Sequence, residues 1–246
     1  MVTANPMQFL NQSIDDVIIE CEQLLTPIKV LALEDNNNQQ VLQQIKALKE
    51  ALNIIQQQHI SQKLNPTEVS EVGNYVIQLL HSLGHYSYHQ EQSESATHLI
   101  HCSLPIALFI SRQSGEINLL EPIVDTIAQY ANKLTEPKDL ETFSYLLAEI
   151  ISAISPSIKA DLDNSNPNRA WRILNLNYAI IGTRSHQPEL MEIAFDYLIK
   201  GFANEVSDFF SQGMEQMELL NYPTQVREVM TRYYNEWSKL NTNTLH

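Results

Sequence analysis

The chain has 246 residues, 43% of them hydrophobic, with ten prolines, six glycines and a formal charge of −14. That much apolar material can bury one large helical domain or two smaller ones in contact, so disorder of the whole is excluded. The excess of 29 acids over 15 bases, present in both halves, argues against nucleic acid, because duplex binding needs clustered Lys and Arg.

Met1 to Asn5 lacks the basic and apolar regions of a secretion signal, and Asp15, Asp16, Glu20 and Glu22 argue against a transit peptide. The densest apolar runs, Tyr75 to Leu80 and Leu104 to Ile110, fall far short of the ~20 residues that span a bilayer. Cys21 and Cys102 are too few for a disulfide framework. A soluble protein of a reducing cytoplasm is expected.

The first predicted unit, residues 1–64, is a helical hairpin. Leu10, Ile14, Val17, Cys21, Leu24 and Ile28 recur at steps of three and four, as do Val41, Ile45, Leu48, Leu52 and Ile55. Pro27 is expected to kink or restart the first helix, and Glu34 to Asn38 to form the polar turn. Two apolar stripes of this kind pack on each other, and the same pattern makes the hairpin a candidate homodimer surface.

Asn65, Pro66, Thr67 and Glu68 open the second predicted domain, 65–246, with a capping side chain, proline at the first helical position and an acid at the third. Further helix starts are predicted at Ser93, Pro122, Pro137, Pro167, Pro188 and Pro223. Gly115 is expected to stop the helix that begins near Ser93, and Pro105 to kink or divide it. No stretch shows the period-two alternation of strands, so the fold class is all-α: antiparallel helical hairpins, either stacked as an array or packed as an irregular bundle.

Trp171, Leu174 and Tyr178 in one predicted hairpin, and Leu83, Gly84, Ala96 and Ile100 in an earlier one, carry part of a recurring seam pattern. On these residues the stretch 66–220 resembles tetratricopeptide repeats, with Asn175 standing where that pattern has glycine. The resemblance implies a protein-binding scaffold or adaptor that receives a peptide or partner domain in a groove of helix faces.

Candidate sites fall in three regions. Arg169, Arg172, Arg184 and His186 form the densest positive group, which could take a partner's carboxylate through paired hydrogen bonds, with Asn175 and Tyr178 nearby. Their bland alternative is pairing with Asp161, Asp163 and Glu189. Five of the eight histidines, His81, His85, His89, His98 and His101, lie within one short stretch. An antiparallel turn near Gln90 to Ser93 would set His85 opposite His98, and His81 near His101 or Cys102, a ligand set for a transition metal such as zinc. Finally, Tyr222, Tyr233, Tyr234 and Trp237 make an aromatic terminal helix that serves either as a binding surface or as a cap on the core.

Catalytic signatures are absent: there is no nucleophile elbow and no glycine-rich phosphate loop. The expected function is therefore a non-catalytic scaffold without a cofactor. The alternatives are a metal-binding helical enzyme or sensor built on the histidines, and a receptor whose cavity is lined by Trp171, Tyr178, Phe195 and Phe209.

Overall fold

A computed structural model describes Met7 and residues 12–34, 38–61, 63–162 and 165–237. Leu10, Leu240, residues 35–37 of the expected first turn and Asp163 lie outside the described residues. The described chain is all-α, with eleven helices of nine or more residues and a single-turn one. Its one β feature among the described residues is an isolated parallel bridge between Ile117 and Ile154. No helix among them is long and apolar enough to cross a membrane.

The chain forms two compact units, Met1–Tyr130 with Ala148–Asp163, and Ala131–Leu147 with Asn164–His246. The first holds 17 acids and 6 bases, hence −11; the second holds 12 and 9, hence −3.

In the first unit, α1 (Ile14–Glu34) begins where Ser13 and Asp16 exchange side-chain and backbone hydrogen bonds. Helix α1 runs through Pro27. It packs on α2 (Gln39–Ser61) along the expected stripes: Val17, Cys21 and Ile28 of α1 and Leu48, Leu52 and Ile55 of α2 are all fully buried. Leu25 is buried more deeply than the expected Leu24, because a straight helix turns slightly less than a heptad stripe requires.

Helix α3 (Pro66–His89) starts on a complete capping box, in which the Asn65 side chain accepts from Thr67 and Glu68, and Glu68 accepts from Asn65. It pairs closely with α4 (Ser93–His101) because Gly84 leaves room for Ile100: a Cβ there would stand 2.5 Å from Ile100 Cγ1. The expected division at Pro105 is present. Helix α5 (Ser103–Arg112) is a new helix after Cys102, with Pro105 in its first turn, where a missing N–H costs little. Cys21 and Cys102, both buried free thiols, touch; their hydrogen bond, then burial, push the Cys102 thiol well up.

Helix α5 ends through Ser114, whose φ of 59° takes the left-handed turn expected of Gly115. Gly115 instead admits Ile110 and Val69, each 3.0 Å from where its Cβ would be. The following loop is clipped to α3: Asn74 bonds Glu116, Asn118 and Leu119, and the Ser70 hydroxyl accepts from the Glu116 N–H. Helix α6 (Glu121–Lys133) and α7 (Pro137–Ala153) start within one residue of their predicted positions. The single turn α8 (Pro156–Lys159) was not predicted.

The second unit is built on two further hairpins, α9 (Ala170–Arg184) with α10 (Pro188–Phe202), and α11 (Val206–Leu219) with α12 (Thr224–Trp237). Pro167 does not start α9. It sits in a turn where Asn166 binds the N–H groups of Asn168 and Arg169, and this delays the helix to Ala170. The terminal helix caps the core as one of its two expected readings had it: Val226, Val229, Met230 and Tyr233 are buried, and the Tyr233 hydroxyl donates to Asp196 at 2.7 Å. Phe195 is fully enclosed, and a void that Phe209 borders holds about 10 Å³, roughly one water, so among the described residues these rings pack in a filled core.

Candidate functional site

The positive group separates into two parts with different chemistry. Arg169 and Arg172 converge from the start of α9 on one carboxylate, Glu205, in the turn before α11. Arg169 Nη2 donates at 3.0 Å, and the Arg172 Nε contact is shorter still. Arg169 also lies over the Phe202 ring, 5.3 Å from its centre. Burial alone would raise the Glu205 carboxyl; hydrogen bonds from Arg172 and Arg169 outweigh it and hold the group below the usual range.

A folded-state value below the unfolded one contributes stability that is present above the ordinary carboxylate range and is lost as pH falls through the folded value. Glu205→Gln is therefore expected to cost about 1–2 kcal/mol at neutral pH, a range kept small by solvent exposure of the carboxylate. The gap between variant and parent should close on acidification below about pH 5. Chemical denaturation of both proteins at several pH values measures it.

Asn175 and Tyr178 are each 1% exposed. They pack inside the second unit rather than line a surface. The Asn175 amide donates back to Trp171 at 2.7 Å, and Tyr178 meets the Tyr197 ring edge-on.

Arg184 is placed differently. It leaves the last turn of α9 and donates to Ala131 and Leu134, 2.6 Å each, at the carboxyl end of α6. Among the described residues it forms no ion pair. Beside it opens a pocket of about 200 Å³ lined by Thr135, Pro137, Leu140, Arg184, His186, Leu220, Asn221 and Tyr222. His186 has a φ of 59°, which turns the chain sharply after α9, and its ring meets Tyr222 edge-on with centres 5.4 Å apart. Burial pushes the Tyr222 phenol up, with the Arg184 charge opposing, so at neutral pH it is an O–H donor. The pocket thus joins one guanidinium, one imidazole, one phenol and one amide to an apolar wall of Leu140 and Leu220, donors suited to an anion on an apolar stem.

The chain matches no family model, no curated protein and no solved structure.

The histidines form pairs that face different neighbours. His81 Nε2 and His85 Nε2 are 2.9 Å apart on one face of α3. Burial, then the His85 charge, hold His81 below its ordinary range, against the pull of Asp125 and Glu121 on α6. His98 acts instead on Glu20 of α1, whose carboxyl burial raises. His101 is buried and bonds Gln129 at 2.9 Å. No group of three or more His, Cys, Asp or Glu side chains among the described residues is arranged to hold a metal, so the expected four-histidine set is not assembled there.

Sequence spacing pointed to Arg184 and His186, and separately to Tyr222 as part of an aromatic terminal helix, but it linked neither Tyr222 nor Asn221 to the arginine; both lie in the turn before α12, 35 or more positions along the chain. Asn221 was marked in the sequence by the Asn-Tyr-Pro turn before α12 alone.

Proposed function

We propose that the protein is a non-catalytic scaffold whose helix pairs bind a peptide or partner protein, and that the partner delivers a carboxylate to the pocket at Arg184. The observation that carries this reading is a guanidinium without an acidic partner at the edge of an open pocket, in a chain with nearly twice as many acids as bases. In so acidic a protein an arginine is ordinarily claimed by a neighbouring acid, as Arg169 and Arg172 are. The backbone carbonyls hold Arg184 in place and leave its charge for a ligand. His186, Tyr222 and Asn221 add donors at the same spot, and Leu140 with Leu220 would receive the apolar part of the residue bearing the carboxylate. The second unit, at −3 against −11, repels an acidic ligand least.

Immobilised protein should enrich a random hexapeptide pool with free C-terminal carboxylates about tenfold over the same pool amidated, since a hydrogen bond to a charged group is worth about 1.5–3 kcal/mol. Equal retention of the two pools would remove the carboxylate from the account.

A further inference from the structure

His81 and His85 are used by neither the core nor the pocket at Arg184. They stand one helical turn apart on α3 in the first unit, half-buried and exposed respectively, with rings 4.3 Å apart at 88° and the two Nε2 atoms 2.9 Å apart. Two neutral imidazoles at that separation can share only one hydrogen between them. The same separation fits two ligands of one ion: with metal–nitrogen bonds of about 2.0–2.1 Å, nitrogens at about 90° lie about 2.9 Å apart, whereas a tetrahedral angle spreads them to about 3.3 Å. A right angle between imidazoles is the geometry of square-planar or octahedral centres, which among nitrogen-bound divalent ions favours copper(II) and nickel(II) over zinc. Asp125 and Glu121, one turn apart at the start of α6, act electrostatically on His81 and supply negative charge beside the incoming cation.

We propose that His81 and His85 form a two-nitrogen chelate for copper(II), with Asp125 and Glu121 as its charge support. This narrows the four-histidine zinc set expected from sequence, because His98 turns to Glu20 and His101 to Gln129. No third protein ligand among the described residues completes the shell, so the remaining positions are open to water or to a donor from another molecule. An open shell of this kind suits metal handover or metal-bridged association rather than a structural ion.

The test is copper(II) titration of the full chain, followed by calorimetry and by electron paramagnetic resonance, which reads the coordinated nitrogens directly. His81→Gln and His85→Gln should each weaken binding about tenfold or more and remove one nitrogen from the spectrum, and Asp125→Asn should weaken it several-fold. His89→Gln and His98→Gln should leave both readouts unchanged. Because all four histidines are at least partly exposed, helical circular dichroism should stay the same in every variant. Absence of binding at micromolar copper, or binding that His81→Gln and His85→Gln leave intact, would overturn the proposal.

Discussion

Replacing Phe195 by Ala should cost about 3–5 kcal/mol, the largest loss expected of any single substitution in the second unit. Phe195 comes from α10 and has no exposure. Its ring meets Phe209 and Phe210 of α11 at 5.7 and 5.1 Å, and Tyr233 of α12 at 5.1 Å, with interplanar angles of 82°, 72° and 79°. Each such edge-on contact adds about 0.5–1.5 kcal/mol beyond the area it hides. Removing the central ring takes away all three contacts and leaves a void that the two hairpins cannot close without sliding past one another. Since a domain's whole stability is about 5–15 kcal/mol, the variant should melt far earlier, and Phe195→Leu should recover part of the loss. Urea unfolding monitored by near-ultraviolet circular dichroism makes the comparison. A loss under about 1 kcal/mol would mean that the neighbouring rings fill the space.

Arg184→Ala should cost about 2–4 kcal/mol for a different reason. The last turn of α6 leaves carbonyls without helical partners, and Arg184 satisfies those of Ala131 and Leu134 with two bonds of 2.6 Å. Its positive charge also faces the negative end of the helix dipole. Arg184→Lys keeps the charge but loses the fork, so it should fall between parent and alanine variant. The urea midpoint should drop with an unchanged slope, as expected when stability changes and compactness does not. An alanine variant as stable as the parent would show that water satisfies those carbonyls equally well. Because the residue supports the fold as well as the pocket, recognition has to be tested at its neighbours.

How far the structure could be anticipated depended on whether a feature was local. The Asn65 to Glu68 cap, the starts at Pro137 and Pro188 and the paired stripes of α1 and α2 follow from adjacent residues, and all are present. Pro167 misled because its helix-starting preference lost to the hydrogen-bonded turn built by Asn166. The spacing of Arg169, Arg172 and Arg184 suggested one positive group. Glu205, 33 residues beyond Arg172, claims the first two and leaves only the third to the pocket. The partners of Arg184 are backbone carbonyls, which carry no residue signature and so leave no trace in a sequence. Helical spacing likewise put His81 and His85 on one face of α3, as the structure has them, but carried no information on the neighbours of His98 and His101, Glu20 of α1 and Gln129 of α6.

Asn221→Asp is the most direct probe of recognition at the Arg184 pocket. The substitution is isosteric at an exposed position and puts a fixed negative charge on the pocket wall without touching Arg184 or its carbonyl partners. A peptide with a free C-terminal carboxylate, selected on the parent protein, should bind the variant about tenfold more weakly at low salt, while the melting temperature stays put. Unchanged affinity for that peptide would place its carboxylate elsewhere and contradict the proposed site.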